Sequence, residues 1–452
     1  MDLVLPTADS ERTRPGSVDT IFALASGAPP AGIAIVRVSG PGVRDALGQV
    51  ANGVPEPRVA TLRPFHDPGG GSAIDEGLVL FFPGPGSFTG EDVAEFHLHG
   101  GRAVVAALLD ALAALPGFRP AERGEFTRRA FLAGRVDLTQ AEALADLVAA
   151  ETAAQRSLAL EGIRGSIRTQ YESWRRRLIE ARALIEASID FADEEDVGEA
   201  WTAEARADVA RLRDELAAAL AGHRRGERIR EGAEVVILGA PNVGKSSLLN
   251  ALAGRDAAIV SREAGTTRDL IEVTLDVAGY RVTLVDTAGM RDTESEVERE
   301  GIRRAEARAA EADLVLWLSD RRDVSPPAAA AVLWAIATKA DLMDSVTEQA
   351  ARRAGLRPVS AVTGQGVDAL LADLGAFLST QLPPEPTVMT RQRHAVAVAE
   401  AAAGLDEALG ASSAELVAEG LRVATAALGR VTGAVDVEDV LDVVFASFCI
   451  GK

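Results

Sequence analysis

The sequence predicts a three-domain protein in which an α/β domain is inserted into a helical domain, behind a mixed α and β domain at the N-terminus. Its 452 residues exceed one ordinary core, since domains usually hold about 100 to 200 residues. The pattern changes from mixed strands and helices to a helical period rich in Ala, Leu, Arg and Glu, and then to short apolar runs. The predicted parts are 1–16 as a disordered extension, 17–118 as the N-terminal domain, 119–230 with 380–452 as the helical domain, and 231–379 as the inserted domain.

Composition and charge narrow the class of protein. A hydrophobic fraction of 47% with 25% charged residues is typical of a soluble globular chain, and no apolar run reaches the roughly 18 residues of a membrane span. The start of the chain lacks the pattern of a secretory signal, so we expect a cytoplasmic protein. Cys449 is the single cysteine and cannot form an intrachain disulfide. The net charge of −20 disfavours broad nucleic-acid binding, so any RNA contact is expected to be local or shared with a partner.

The first two domains are predicted from periodicity. Gly32–Val38 and Gly77–Phe82 read as strands, and 104–115 reads as a helix, which together indicate a mixed domain. Further along, 138–150 and 174–189 show apolar residues at helical spacing. These stretches predict long helices.

The inserted domain begins with a wholly apolar run, Val235–Leu238, directly before a glycine-rich turn. Such a run is typical of a buried parallel strand. Similar runs at 281–285, 314–318 and 332–337 alternate with helical stretches. The alternation predicts a doubly wound, Ras-like α/β fold.

A phosphate-binding loop follows the first of these strands. Gly239-Ala-Pro-Asn-Val-Gly-Lys-Ser246 fits G-x-x-x-x-G-K-S and precedes an apolar-periodic helix. Backbone N–H groups of such a loop converge on phosphates, Lys245 reaches the β and γ phosphates, and the Ser246 hydroxyl is a hard oxygen ligand for Mg²⁺. The alternative, a glycine-rich turn with a surface lysine, is disfavoured by the flanking strand and helix.

Two further segments have the order of nucleotide switches. Gly265-Thr-Thr-Arg-Asp269 lies in a polar loop, where a threonine hydroxyl can complete the metal shell when the γ phosphate is present. Asp286-Thr-Ala-Gly289 ends a strand, which places Asp286 near the metal and the Gly289 amide near the γ phosphate. A lone Asp at a strand end is usually a turn former, but its place after the loop favours the switch interpretation.

Guanine specificity is predicted from two short segments that resemble the base-recognition segments of translation-factor-type GTPases, Thr338-Lys-Ala-Asp341 and Ser360-Ala361. Asp341 can accept hydrogen bonds from the ring N–H and exocyclic amine of guanine, a donor pair that adenine lacks. Asn is usual where Thr338 stands, so we expect weaker base affinity. The predicted GTP contacts are Asn242, Val243, Gly244, Lys245, Ser246, Ser247, Ser261, Arg262, Glu263, Ala264, Gly265, Thr266, Thr267, Asp286, Thr287, Ala288, Gly289, Thr338, Lys339, Asp341, Ser360 and Ala361.

The residue that orients the attacking water must differ from the glutamine of Ras-like enzymes, because Met290 stands at that position. Glu298 is the best candidate from residue chemistry. Arg268 and a bound cation are candidate sources of positive charge for the transition state. The alternative is that Glu298 only closes a capping box, Ser295-Glu-Val-Glu298, at a helix start.

Short motifs spread over the whole chain resemble the MnmE family, also called TrmE, of tRNA-modification GTPases. The strongest match outside the inserted domain is the C-terminal Phe448-Cys-Ile-Gly-Lys452. The others are Ser87-Phe-Thr-Gly-Glu-Asp92, His99-Gly-Gly101, Gly124-Glu-Phe-Thr127 and Ala130-Phe-Leu132. Their order and spread over three domains make the resemblance specific from about residue 19 to the end.

The resemblance implies a homodimer that forms through the N-terminal domain and works with the FAD-dependent protein MnmG in a heterotetramer. Together they would install an aminomethyl or carboxymethylaminomethyl group on the wobble uridine of certain tRNAs. It also implies that the N-terminal domain is folate-binding-like and holds 5-formyl- or methylene-tetrahydrofolate. The matching positions are Arg37, Glu95, Arg135 and Lys452.

Without the resemblance, the predicted folate residues would be interpreted differently. Arg37 and Glu95 would more often be surface ion-pair residues. His97 and His99 lie on one face of a strand and could suggest a metal, but no third ligand is evident. Cys449 is a candidate nucleophile or redox partner, against the alternative of a small buried hydrophobe.

The resemblance further implies that potassium promotes dimerisation of the inserted domains and replaces an arginine finger. The matching potassium positions are Asn242, Ser261, Glu263 and Thr266, while Thr267 matches a second Mg²⁺ ligand beside Ser246, and Glu298 matches the water-orienting glutamate.

Two other functions stay open at this point. One is a binding switch for ribosome or RNA assembly, which would be expected to carry a basic appendage that is not evident. The other is a scaffold with a decayed GTP site, which the intact Lys245, Ser246 and Asp286 disfavour.

Overall fold

The computed structural model describes residues 19–190, 201–254, 271–286, 307–320, 332–382, 388–435 and 438–451. Contacts between Cα atoms divide the chain into two compact units. Unit 1 holds the residues up to Ala145 together with those from Thr432 onward, and unit 2 holds Asp146–Val431. The last residues of the chain therefore belong with the N-terminal unit, and the inserted α/β part and the central helices share unit 2. The three-domain boundaries of the sequence analysis stay a prediction.

Unit 1 is built around a six-stranded sheet in the order β3-β4-β5-β2-β1-β6, antiparallel except for the parallel pair β1 and β6. The strands are β1 Thr20–Leu24, β2 Ala31–Ser39, β3 Thr61–His66, β4 Ala73–Phe82, β5 Val93–Gly100 and β6 Phe118–Pro120. The helices of this region are α1 Val43–Val50, α2 Arg102–Ala113, α3 Glu125–Leu132 and α4 Leu138–Ala149. The strand and helix patterns read at 32–38, 77–82, 104–115 and 138–150 are confirmed.

Alternation along the strands gives this sheet two different faces. Val36 and Phe96 point to the main core, where they pack with α1 and α2 residues such as Leu47 and Leu108. On the opposite face, Phe126 of α3 packs against residues of β1. One face is thus a closed core, and the other carries the polar side chains considered below.

The C-terminal segment packs into unit 1. Helix α14, Glu438–Ala446, contributes Leu441 and Phe445 to a cluster with Leu138 of α4. Farther on, Gly451 has φ +97°, and a Cβ there would lie 2.2 Å from the carbonyl oxygen of Leu24. Because only glycine fits so close to another backbone, the last turn of the chain is fixed against the end of β1.

Unit 2 contains a second six-stranded sheet, in the order β12-β11-β10-β7-β9-β8, parallel except for β8. Its strands are β7 Ala233–Gly239, β8 Ile271–Val277, β9 Tyr280–Asp286, β10 Leu314–Ser319, β11 Leu333–Ala337 and β12 Arg357–Pro358. Helices α9 Lys245–Ala253, α10 Ser345–Arg353 and α11 Val367–Gln381 accompany it. This confirms the predicted doubly wound fold.

Helices α5 Ala153–Ile163 and α8 His223–Glu231 add Leu158 and Ile229 to the core of this sheet. A second core is formed by the helices α6 Ser166–Asp190, α7 Ala203–Ala221, α12 Gln392–Gly410 and α13 Ala414–Thr432. Tyr171 and Trp174 of α6 pack there with Leu405 and Leu428. These residues come from both sides of the inserted sheet in sequence, as expected for a helical domain that is interrupted by an insertion. Among the described residues no helix is long and apolar enough to cross a membrane.

Candidate functional site

The phosphate-binding loop leaves the sheet where β7 ends. Gly239 has φ +153°, and a Cβ at this residue would lie 2.5 Å from the carbonyl oxygen of Leu318 on β10. Asn242 and Gly244 also have positive φ, 60° and 107°. Positive φ values at this turn suit glycine and asparagine. They turn the chain sharply between β7 and α9, which begins at Lys245.

Lys245 is folded over this loop. Its side chain is buried, and its Nζ donates hydrogen bonds to the carbonyl oxygens of Gly239 at 2.8 Å and Ala240 at 3.0 Å. The ammonium group is thereby held at the loop and the N-terminus of α9, a position where positive potential favours phosphate.

Ser246 and Asp286 form the oxygen-rich part of the site. The Ser246 Oγ donates a 2.7 Å hydrogen bond to Oδ2 of Asp286, which is fully buried at the end of β9. A hydroxyl and a buried carboxylate in contact are the hard oxygen donors that Mg²⁺ prefers. The donor set therefore fits a magnesium ion beside the phosphate loop.

The predicted base-recognition segments meet at the next two strands. Thr338 follows β11 directly, is buried, and its Oγ1 donates to the carbonyl oxygen of Ser319 at 3.4 Å. Asp341 lies in the short 3-10 turn Ala340–Leu342 and is exposed. The Ala340 N–H donates to the carbonyl oxygen of Val359 at 3.2 Å, which joins this turn to the segment that holds Ser360.

Ser360 and Lys339 complete this region. Ser360 is fully buried, and its Oγ accepts a hydrogen bond from the Thr363 N–H at 3.2 Å. Lys339 has φ +58°, and its Nζ lies 2.9 Å from Oδ2 of Asp320. Ala361 is partly exposed beside Ser360.

All of these groups lie at the carboxyl ends of neighbouring strands. β12, β11, β10, β7 and β9 run parallel and adjacent, so their following segments come to one edge of the sheet. Ligands of doubly wound sheets bind at this edge. The structure brings together the described part of the predicted set, namely Asn242, Val243, Gly244, Lys245, Ser246, Ser247, Asp286, Thr338, Lys339, Asp341, Ser360 and Ala361.

The remaining predicted residues of this site lie outside the described residues. They are Ser261, Arg262, Glu263, Ala264, Gly265, Thr266, Thr267, Arg268, Thr287, Ala288, Gly289 and Glu298.

A second candidate site lies on the sheet of unit 1. Arg37 and Glu95 are directly opposite on β2 and β5, and the Arg37 Nε and Nη2 donate to Oε1 of Glu95 at 3.0 and 2.9 Å. The Arg37 guanidinium also lies 5.8 Å from the ring centre of Phe126. Oε2 of Glu95 is 3.5 Å from Nε2 of His97. The predicted folate pair is therefore an oriented, partly buried ion pair.

The other predicted residues of unit 1 lie nearer the surface. Arg135 is exposed, and its side chain passes beside Gly90. Cys449 is also exposed, so the alternative of a small buried hydrophobe is wrong. Lys452 lies outside the described residues, while Gly451 rests against Leu24. No group of His, Cys, Asp and Glu that could hold a metal occurs within the part of the chain described.

Helix α3 carries a buried ion-pair cluster that was not predicted from the sequence. Nη2 of Arg129 lies 2.9 Å from Oδ1 of Asp19 and 3.0 Å from Oε1 of Glu125, and Nη1 lies 3.2 Å from Oε2 of Glu91. Burial alone would raise the pKa of Glu125, but the hydrogen bond from Arg119 and the neighbouring positive charges hold that pKa below its usual value. The Gly124-Glu-Phe-Thr run was the only signal, because Asp19 and Glu91 are distant from it in sequence.

Two family models match the chain. The model described as the MnmE helical domain matches residues 138–449, and the model described as the GTP-binding protein TrmE N-terminus matches residues 20–135. This chain belongs to the MnmE family. Its similarity to named members covers nearly the whole length. A tRNA modification GTPase MnmE of Mesorhizobium japonicum is 53% identical over 445 residues, which are 96% of this chain and 100% of that protein. A tRNA modification GTPase MnmE of Brucella anthropi is 51% identical over 440 residues, 96% of this chain and 98% of that protein.

Proposed function

We propose that the protein binds GTP with Mg²⁺ at the carboxyl edge of the inserted sheet and hydrolyses it. The observation that carries this is the Ser246–Asp286 contact beside Lys245, on the same sheet edge as Asp341. Lys245 holds positive charge at the phosphates, and Asp341 selects guanine. Ser246 and Thr267 would hold Mg²⁺, which would supply positive charge against the phosphates during hydrolysis.

Glu298 is proposed to orient the attacking water, since Met290 cannot. Arg268 and a potassium ion are proposed to stabilise the charge of the transition state. The potassium ligands would be Asn242, Ser261, Glu263 and Thr266. Asn242 sits in the phosphate loop in a left-handed conformation, next to the residues that hold the phosphates.

The potassium proposal is tested by measuring GTP hydrolysis in KCl and in NaCl at equal ionic strength. The expected rate of hydrolysis is at least about tenfold higher in KCl. A tenfold ratio corresponds to about 1.4 kcal/mol of added transition-state stabilisation, which is about the contribution of one hydrogen bond. Equal rates in the two salts would reject the cation role and leave GTP binding untouched.

The wider role follows from the family. The named relatives are tRNA modification GTPases, and we propose that this protein acts in the cytoplasm, as a heterotetramer with MnmG, on the wobble uridine of certain tRNAs. The group added would be aminomethyl or carboxymethylaminomethyl. Mass spectrometry of tRNA nucleosides from a deletion strain tests this, and unmodified wobble uridines are expected. An unchanged nucleoside profile would reject the tRNA role.

The Arg37–Glu95 pair supports a folate site in unit 1. A carboxylate can pair with the amidine-like edge of a pterin, and the Arg37 guanidinium holds the Glu95 carboxylate in place, so the glutamate tail needs other cations. Arg135 and Lys452 would add positive charge for that tail. Cys449 is exposed, as a nucleophile or redox partner must be, and its exposure supports such a role in the modification reaction.

An exposed apolar strip on the same sheet supports homodimer formation through unit 1. Leu62 and Leu78 are directly opposite on β3 and β4, Leu78 is opposite His97, and His97 is opposite Ile35, so they share one face. Ile33, on the same face, is 65% exposed and Leu62 is 62% exposed. A row of large apolar side chains on an open sheet face is typical of an interface, and a second copy is the proposed cover.

Analytical ultracentrifugation of the full chain tests whether a second copy covers this face. Leu62→Lys is expected to raise the dimer dissociation constant at least about tenfold, because a charge would be buried in the interface. Leu342→Lys is the matched control, since Leu342 is 78% exposed in the inserted part. Equal dissociation constants for both variants would contradict an interface on this face.

A further inference from the structure

The β8–β9 hairpin is connected at one end to the nucleotide site. Its first residue pair is Ile271 with Asp286, and Asp286 accepts the hydrogen bond from Ser246. The register then continues without a shift to the pair Val277 and Tyr280. A continuous antiparallel ladder moves as one piece, so a displacement of Asp286 is carried to the far end of the hairpin.

The tip of the hairpin is a tight and strained turn. Ala278 and Gly279 both have positive φ, 54° and 87°, which is the pattern of a two-residue type I′ turn. Alanine adopts such a φ only at a cost in free energy. The carboxylate of Asp276 accepts the Gly279 N–H at 2.8 Å and fixes the turn. Strain of this kind persists where the surroundings determine the conformation, and it is frequent in switch regions.

Those surroundings are the first turn of α5. The Ala154 N–H, which cannot bond within its own helix because it lies in the first turn, donates to the carbonyl oxygen of Gly279 at 3.0 Å. Arg281 forms an ion pair with Glu151 at 3.3 Å. Helix α5 is itself fixed by the capping box of Thr152 with Gln155. The tip therefore rests on the capped N-terminal end of α5.

A third contact joins the tip to the end of α11. The Tyr280 hydroxyl donates to the carbonyl oxygen of Leu382 at 2.8 Å. Ala278 also lies close to α11, since a Cβ added to Gly375 would be 2.9 Å from the Cβ of Ala278. The tip is held between α5, which precedes the inserted sheet in sequence, and α11, which ends it.

A cavity of about 260 Å³ adjoins the hairpin tip where the tip contacts α5 and α11. It is lined by residues of α5, α8 and the tip, including Leu158, Ile229, Tyr280 and Leu382. The cavity is half open to solvent and leaves room beside the tip for side chains of the tip and α5 to change position.

We propose that the β8–β9 hairpin transmits the state of the nucleotide site to α5, and that Tyr280 is the positioning residue that anchors its tip. The inference rests on the proposed GTP binding. When the Ser246 hydroxyl leaves the Asp286 carboxylate for a metal ion, Asp286 shifts. The paired strands β8 and β9 carry this shift to the tip, and the hydrogen bond at Gly279 then displaces the first turn of α5. The cavity supplies the space for this movement.

Hydrogen exchange of the full-length protein tests the link in two states, one without nucleotide and Mg²⁺ and one with Mg²⁺ and a non-hydrolysable GTP analogue. Backbone amides of residues 150–158 are expected to exchange at rates that differ by at least about threefold between the two states, because their hydrogen bonds open locally. Tyr280→Phe, which removes only the anchoring hydroxyl, is expected to abolish most of this difference. Ser379→Ala is the matched control, since among the described residues its Oγ donates only to the Gly375 carbonyl oxygen within α11.

A second variant separates coupling from folding. Leu158→Phe places a larger ring at the cavity wall without removing any hydrogen bond of the tip, and it is expected to reduce the same difference while GTP affinity and turnover stay within about twofold of wild type. Equal exchange of 150–158 in both states, in wild-type protein that hydrolyses GTP, would overturn the inference and leave the proposed function standing. A full difference retained in both variants would overturn it as well. Failure to bind GTP in a titration would reject the proposed function and the inference with it.

Discussion

The nucleotide edge of the inserted sheet is built largely from backbone geometry, whereas the Arg37–Glu95 site of the N-terminal sheet is built from side chains of separate strands. At the first site, Gly239 and Gly244 shape a loop onto which Lys245 folds. At the second, a guanidinium and a carboxylate satisfy each other. A backbone-built site keeps its shape when one side chain is truncated, so its variants should separate binding from chemistry. In a paired site, removing one partner leaves the other uncompensated.

The largest effect is expected from Glu298→Ala, which tests this separation at the nucleotide site. Turnover of GTP should fall about 10²- to 10⁴-fold, as for the loss of a group that positions or activates the attacking water. GTP affinity should stay near wild type, since the loop and Lys245 are unchanged. Stopped-flow binding and single-turnover hydrolysis measure the two quantities. Glu296→Ala is the matched control, and parallel loss of binding and turnover would leave Glu298 with only its capping role.

Folate binding is expected to show the opposite behaviour. Glu95→Gln and Arg37→Gln should each weaken binding of 5-formyl-tetrahydrofolate by about 10- to 100-fold, because charged hydrogen bonds of this kind contribute about 1.5 to 3 kcal/mol. The double variant should lose less than the sum of the two, because the residues act as a pair. Calorimetry of the full chain measures this.

Arg44→Gln provides the control for that experiment. Arg44 pairs with Asp92 at 2.7 Å in the same unit but is largely exposed, so its loss should leave folate affinity unchanged. Additive effects of the Arg37 and Glu95 variants would show that the two side chains contact the ligand independently, contrary to a paired site.

The same difference explains what sequence could and could not predict. The phosphate loop and the segments at Thr338 and Ser360 are contiguous and follow apolar strands, so both their identity and their meeting at one edge follow from local pattern and topology. The Arg129 cluster joins Asp19 and Glu91 to helix α3, and the Tyr280 anchor reaches Leu382. Such contacts join residues far apart in sequence, with no periodic signal. Gly451 against Leu24 is of the same kind, and no local pattern predicts that contact.

A smaller effect is expected from Thr338→Asn, which adds a side-chain amide at the guanine site. Thr338 has one hydroxyl, and it already donates to the Ser319 carbonyl oxygen. Asparagine would offer an acceptor and two donors, so GDP affinity should rise about three- to tenfold, as for one added neutral hydrogen bond. Fluorescence titration with a labelled GDP measures it. Thr380→Asn, on the exposed side of α11, is the control, and an unchanged or lower affinity at position 338 would show that the threonine already satisfies this site.

The smallest effect concerns the pH dependence of stability, to which one carboxyl group in each unit is expected to contribute with opposite sign. In unit 1 the pKa of Glu125 is held below 4.5 by Arg119 and its neighbours, although burial alone would raise it. Its ionised form therefore stabilises the fold above pH 4.5, and this stabilisation is lost as pH falls through the lowered value. In unit 2, burial raises the pKa of Asp313 above 3.8, so its contribution to stability has the opposite sign and is lost as pH rises through that region.

Thermal unfolding of the full chain between about pH 7 and pH 3 should show the unfolding temperature of unit 1 falling more steeply on the acid side. Glu125→Gln should flatten that slope, Asp313→Asn should steepen the combined curve, and equal slopes for both variants would show that neither cluster controls acid stability.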